Sequence, residues 1–215
     1  MMDATRILAI RHGETAWNVD TRIQGHLDIP LNERGRWQAQ RLARALATRD
    51  SLQAIYSSDL SRAHETARAI AEATGAPLAT HAGLRERGFG LFEGKTYVEI
   101  EQTWPEESER WRKRDPHWTP LGGGESLVQV RERITRTLHE LASRHPGEQI
   151  VLVAHGGVMD QLYRAATGQD LQAPRTWQLT NTAVNRLLWT PQGLSLVGWA
   201  DTTHLDDESL DEITS

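Results

Sequence analysis

The chain has 215 residues, 38% of them hydrophobic and 25% charged, which is the size and composition expected of one soluble domain with one core. A formal net charge of −5, from 24 basic and 29 acidic residues, argues against a broad nucleic-acid surface but leaves room for a local basic pocket. With no cysteine, disulfides, a thiolate nucleophile and cysteine zinc sites are excluded, and no apolar run has the length of a signal peptide or a bilayer span, so a cytoplasmic protein without membrane contact is expected.

In chain order, Ile7 to Ile10 read as a short buried strand, followed by a loop through "GHLDIPLN". Asn32 caps a helix running to about Thr48, with Ala39, Leu42, Ala43 and Leu46 on one face. A second strand covers Ala54 to Tyr56, and a helix runs from about Ser61 to Thr74 and stops at Gly75. A third short strand lies near Leu78. Tyr97 to Arg114 reads as one or two charged helices ended by Pro116. Ser126 and Gln129 have capping-box spacing, and Leu127, Val130, Ile134, Leu138 and Leu141 line the helix that follows. "QIVLVA", residues 149 to 154, is the strongest strand in the chain and is placed centrally. It runs into a loop and then a helix that starts after Gly157 and is ended by Gly168; strands near 183–189 and 194–199 follow. The expected domain spans 1–205, and 206–215 reads as an acidic, flexible tail.

Strands alternating with amphipathic helices predict an α/β fold: a three-layer α/β/α sandwich with a mostly parallel central sheet and helices on both faces. Ligands of such sheets bind at the carboxyl ends of the strands. Arg11-His12-Gly13 follows the first strand, Ser57, Ser58 and Arg62 follow the second, and His155-Gly156-Gly157 follows the central one. His12 and His155 thus occupy equivalent places. Arg11 and Arg62 offer planar forks to phosphate oxygens, and glycines 13, 156 and 157 let backbone amides approach a ligand. A neutral His12 is a competent nucleophile toward phosphorus, kept neutral by neighbouring cations. Glu86, in "LRERGFGLFEG", is a candidate proton donor to the leaving oxygen.

Plainer readings compete for each residue. A histidine after a strand is usually structural, and only the pairing of His12 with Arg11 and a second His-Gly overturns that. Arg62 sits in the first turn of its helix, where a cation is slightly unfavourable, which favours a ligand role. From physics alone Glu86 is balanced between acid catalysis and a surface ion pair with Arg85 and Arg87. The other histidines, 26, 64, 81, 117, 139, 145 and 204, lack metal-ligand spacing and read as surface or loop residues, so no metal is expected. Trp104, Trp111 and Trp118 read as core packing or the underside of a lid, and residues 110 to 114 as a solvated basic face.

Taken in order, "RHGETAWN" with "QGHLDIPLNERG", "IYSSDLSRAHETA", "LRERGFGLFEG", "GGGES", "VAHGG" and "NTAVNRL" resemble the histidine phosphatase superfamily, the phosphoglycerate mutase-like enzymes, across nearly all of residues 1–205. The resemblance implies that His12 is the histidine that becomes phosphorylated. It implies that Arg11, Arg62 and His155 complete the phosphate pocket, and that Glu86 is the proton donor and later the base. It also implies that Asn18, Gln24 and Gly25 hold phosphate or substrate at the rim and that the Gly156 amide contacts the phosphoryl group. No cofactor is implied. The partner implied is a small phosphorylated metabolite, and a homodimer stays open. Family mutases carry a longer insertion after Gly88, so the chain resembles the broad phosphatase branch. "ERWRKRD", residues 109 to 115, nevertheless resembles the basic stretch that mutases use to grip phosphoglycerate. Phosphatase is the expected reading and mutase the alternative, with a non-catalytic phospholigand-binding protein third.

Overall fold

β1 (Thr5–Arg11) is completely buried from Ile7 to Ile10, which marks it as an interior strand covered on both faces. The computed structural model describes residues 3–206, so residues 207–215 of the expected acidic tail lie outside the described residues. β1 belongs to a six-stranded sheet with β2 (Ala54–Ser57), β3 (Leu78–Thr80), β4 (Gln149–Ala154), β5 (Val184–Thr190) and β6 (Gly193–Asp201), in the spatial order β3-β2-β4-β1-β5-β6. The first four strands of that order are mutually parallel; β5 runs antiparallel to β1 and to β6. The mostly parallel sheet expected from the sequence is therefore present, with β5 joined to β6 as a hairpin along one edge.

Register decides what meets at the carboxyl edge. Arg11 lies opposite Ala154, and Ser57 lies opposite Val153. The next residues along the three strands, His12, Ser58 and His155, therefore leave the sheet together. The His12 amide still donates to the Ala154 carbonyl at 3.0 Å, and the Ser58 amide to the Val153 carbonyl at 2.9 Å.

The helices cover both faces because their apolar stripes match the alternating strand residues. α2 (Glu33–Arg49) and α3 (Ser61–Thr74) bury Leu42, Leu46, Ala63 and Ile70 against Leu8, Ile10, Val151 and Val153. α6 (Leu127–Ala142) and α7 (Gly156–Thr167) bury Val130, Ile134, Met159 and Leu162 against Ile7, Ala9, Ile150 and Leu152. Each large side chain so buried contributes about 1.5–3 kcal/mol. The caps are those the sequence indicates. Asn32 accepts from the Gly35 amide at 2.8 Å, and Ser126 and Gln129 form a reciprocal box. Gly75 and Gly168 close α3 and α7 in the left-handed conformation.

Two local features, the first and the last below, differ from the expectation, and between them the choice of one or two charged helices is resolved. The segment after Gly13 contains a short helix, α1 (Ala16–Val19), closed by a capping box between Thr15 and Asn18. The charged segment is two helices, α4 (Tyr97–Thr103) and α5 (Pro105–Arg112), broken at Trp104 because Pro105 cannot donate an amide and suits the first helical position. α7 begins at Gly156 with His155 as its cap, so no loop intervenes between β4 and that helix. Trp104, Trp111 and Trp118 pack around Phe92, with ring centroids 5.5–5.6 Å from it, and form a third core with Ile100 beside the sheet edge. Among the described residues no helix is long and apolar enough to cross a membrane.

Candidate active site

The strand ends bring His12 and His155 to a ring-centroid separation of 5.2 Å. His12 is 2% exposed and His155 fully buried. The His12 ring places Nδ1 2.7 Å from the Gly13 carbonyl. A carbonyl only accepts, so Nδ1 carries the proton and the lone pair of the neutral ring lies on Nε2. Burial lowers the His12 pKa well below its usual value, and the charges of Arg62 and then Arg11 lower it further. Burial, then Arg62, then His12 act on His155 in the same direction. Both rings are neutral at pH 7 by this account. His155 Nε2 pairs with the Ser58 hydroxyl at 2.8 Å, and its Nδ1 has no partner among the described residues.

Arg62 is completely buried at the start of α3. Its Nη1 donates to the Leu27 carbonyl and its Nη2 to the Gly25 carbonyl, each at 2.8 Å, while its Nε has no partner among the described residues. Arg11 donates through Nη1 to the Leu179 carbonyl, and its Nε is likewise buried and without a partner among the described residues. A Cβ placed on Gly156 would stand 3.6 Å from Arg11 Nε and 3.9 Å from Glu86 Oε2, so this glycine, at the N-terminus of α7, sits between the two. The Gly157 amide donates to both Glu86 oxygens at 3.1 Å, and the Arg87 amide donates to Oε1 at 2.8 Å. A Cβ on Gly157 would meet Glu86 Oε1 at 2.2 Å, so only glycine allows this approach.

Arg11, His12, Arg62, Glu86, His155 and Gly156 are thus brought into one cluster. The ion-pair alternative for Glu86 does not hold. Arg85 grips Asp59 with two bonds of 2.7 and 2.5 Å, and the Arg87 side chain donates to the Glu125 carbonyl at 2.7 Å. Asn18, Gln24 and Gly25 stand one layer out. Asn18 Oδ1 and the Thr15 amide close the α1 cap at 3.0 Å, Gln24 Oε1 accepts from the Thr15 hydroxyl at 3.0 Å, and Gly25 offers Arg62 its carbonyl. Their observed contacts build the loop that positions Arg62.

Several neighbours were not read from the sequence. Asn181 donates to the His12 carbonyl at 2.8 Å and reaches Asn18 Oδ1 at 3.4 Å; the motif "NTAVNRL" was its only signal. His26, expected to be a surface residue without a role, donates through Nε2 to the Glu86 carbonyl at 2.7 Å. Arg87 lies between Phe89 and Trp118, its guanidinium 5.1 and 5.6 Å from the ring centroids, and burial lowers its pKa to about 10. The surface-or-loop expectation holds for His26, which is exposed, and for His145, which lies in the loop before β4, but not for His204, which is buried. His145 bonds the Tyr56 hydroxyl at 2.8 Å and Glu148 at 2.6 Å, and His204 is 6% exposed beside Thr182. The basic stretch is a solvated face only in part. Arg110, Arg112 and Lys113 form exposed pairs with Asp115, Glu101 and Glu109, but Arg114 turns inward to Asp160 at 2.9 Å. A separate groove lined by Arg41, Arg44, Arg49 and His204 shares no residue with the cluster.

Comparison with known proteins identifies the family. Residues 7–202 match the histidine phosphatase superfamily (branch 1), and the chain belongs to that family. It is 39% identical over 208 residues to phosphoglycerate mutase-like protein 4 of Arabidopsis thaliana, covering 96% of this chain and 89% of that one. It is 35% identical over 204 residues to a metal-independent phosphoserine phosphatase of the same plant, covering 94% and 84% of the two chains. Among solved structures, a mycobacterial glucosyl-3-phosphoglycerate phosphatase superposes with a TM-score of 0.82 at 33% identity, covering 93% of this chain and all of the other.

Proposed function

We propose that the chain is a phosphatase that hydrolyses a small phosphomonoester through a phosphohistidine on His12, without a metal or other cofactor. One observation carries the reading. Three buried nitrogens, Arg11 Nε, Arg62 Nε and His155 Nδ1, have no partner among the described residues and belong to side chains clustered with a neutral imidazole whose free lone pair is on Nε2. An unsatisfied buried polar atom costs about 1–3 kcal/mol, and a phosphoryl group brings the oxygens that satisfy several at once. The phosphatase names among the relatives support the same activity.

In the first step His12 Nε2 forms a bond to phosphorus as the bond to the alcohol oxygen breaks, and that oxygen takes a proton delivered through the Glu86 carboxyl. The ring becomes cationic, and its Nδ1–H bond to the Gly13 carbonyl tightens with that charge. In the second step water attacks phosphorus, its proton passes to the Glu86 carboxylate, and His12 and inorganic phosphate are released. Arg11, Arg62, His155 and the Gly156 amide hold the phosphoryl oxygens throughout, supplying the positioning and charge neutralisation on which phosphoryl transfer depends. The inward turn of Arg114 onto the buried Asp160, with Arg110, Arg112 and Lys113 each beside a carboxylate, supports the phosphatase over the mutase.

The test is a panel of small phosphomonoesters, 3-phosphoglycerate included, assayed in chelator for inorganic phosphate and for isomerised product. Phosphate release by the wild type that disappears in His12→Ala is the expected result. Isomerisation of 3-phosphoglycerate outpacing phosphate release would reassign the chain as a mutase.

A further inference from the structure

Glu86 stands on a stretch without regular secondary structure, between the 3-10 turns Ala82–Leu84 and Gly90–Phe92. Such a stretch has no helix or sheet ladder to satisfy its carbonyls or to hold them still. One side chain takes over that task. Arg133, in the second turn of α6, donates through Nη1 to the Gly83 carbonyl at 2.9 Å and to the Arg85 carbonyl at 2.8 Å, and through Nη2 to the Glu86 carbonyl at 3.4 Å. Its Nε and Nη2 also form a parallel fork with the Glu125 carboxylate, each bond 2.8 Å long. A guanidinium carries five N–H donors, and all five of Arg133 have an acceptor.

Glu125, from the "GGGES" motif, extends the grip to the other side of Glu86. Its amide donates to the Gly88 carbonyl at 2.8 Å, its Oε2 accepts from the Gly88 amide at 2.8 Å, and its carbonyl accepts from Arg87 Nε at 2.7 Å. The chain is therefore tied before and after Glu86 to two residues that are themselves paired. Their support is firm. Val130 and Ile134 anchor α6 in the core, and the Ser126–Gln129 box closes the turn between Glu125 and the helix. The Glu86 carboxyl accepts from the amides of Arg87 and Gly157, the second of which belongs to α7. It can rest there only while its backbone is held at a fixed distance from α7, and the grip on residues 83–88 supplies that distance.

We propose that Arg133 and Glu125 are positioning residues that hold the Glu86 carboxyl at the leaving oxygen, so that loss of the fork between them impairs proton delivery and spares the attack by His12. The proposal rests on the phosphatase reading, in which Glu86 serves the leaving alcohol. Its consequence is selective. A placed acid accelerates departure of an alcohol that needs a proton by about 10²–10⁴-fold, and does little for one that leaves as a stable anion. A displacement of about 1 Å is enough to lose much of that factor. Lysine does not replace Arg133, because an ammonium is a point charge without the planar fork.

The experiment compares kcat/KM for p-nitrophenyl phosphate, whose phenol leaves as an anion, with kcat/KM for phenyl phosphate, whose phenol is a poorer leaving group. This parameter reports the first step and not the later attack of water. Glu86→Gln sets the scale and is expected to widen the ratio of the two values about a hundredfold. Arg133→Gln and Glu125→Gln are expected to widen it about tenfold, chiefly by slowing phenyl phosphate. Arg133→Lys widens it too; a wild-type ratio in that variant overturns the role of the fork. Glu125→Gln keeps the backbone bonds of Glu125 and carries the test if Arg133→Gln does not fold. A merely structural role slows both esters alike, so an unchanged ratio in the two glutamine variants overturns the proposal. If Glu86→Gln itself leaves the ratio unchanged, the clamp falls while hydrolysis that depends on His12 stands. If the wild type hydrolyses neither these esters nor any in the panel, the phosphatase reading falls and the clamp falls with it.

Discussion

At the scale of single residues, His12 gains its chemistry from what surrounds it rather than from its own pKa in water. Burial and two arginines keep it neutral, and a backbone carbonyl decides which nitrogen is free. The same forces have a cost that stability should report. In the unfolded chain each imidazole takes up a proton near pH 6.5, whereas burial holds His12, His155 and His204 below that value in the fold. In the interval between the two values the unfolded state binds more protons, so stability falls as pH falls. The urea midpoint is expected to decline from pH 6.5 downward, above the range in which carboxylates begin to titrate. A midpoint constant between pH 7 and pH 5 would contradict the buried, neutral histidines. His12, Arg11, Arg62 and His155 were legible as a cluster because each follows a strand or opens a helix. Glu86 was not, since its partner, the Gly157 amide, is distant in sequence. Asn181 and His26 act on backbone carbonyls, and no spacing rule announces such contacts.

At the scale of elements, the caps and apolar stripes of α2, α3, α6 and α7 could be read directly, because they are local rules. The short helix α1 could not, because four residues give no periodicity and its cap only becomes meaningful once Gln24 and Asn181 close around it. The glycine in the first turn of α2 shows packing overruling propensity. Alanine is about 1 kcal/mol better than glycine in a helix interior, which alone would make Gly35→Ala stabilising. Its Cβ, however, would stand 2.1 Å from the Glu14 carbonyl oxygen, in backbone that cannot retreat without moving the His12 loop. Overpacking of this kind costs about 1–3 kcal/mol. Gly35→Ala is therefore expected to lower the melting midpoint by a few degrees, at about 2–4 °C per kcal/mol for a chain of this length, as followed by circular dichroism. A rise in the midpoint would show that the loop is not held by this contact.

At the scale of the whole molecule, the sheet is a device for convergence. Parallel strands in register carry His12, Ser58 and His155 to one edge, and the helices that follow them bring Arg62 and the Gly156 amide to the same place. The alternation of strands and helices made that edge predictable from sequence. The packing of α4 and α5, and of the segment between α7 and β5, was not predictable in the same way. Its order comes from aromatic stacking around Phe92 and on Trp177, between residues of separate elements. The central claim is that phosphorus passes through His12. Rapid alkaline quench of the wild type with a radiolabelled phosphomonoester that it hydrolyses, followed by peptide mapping, tests this directly. Label should appear on His12 within the first turnover and decay at a rate equal to or faster than kcat. Steady turnover with no label on His12, or turnover at the wild-type rate in His12→Ala, would contradict the account.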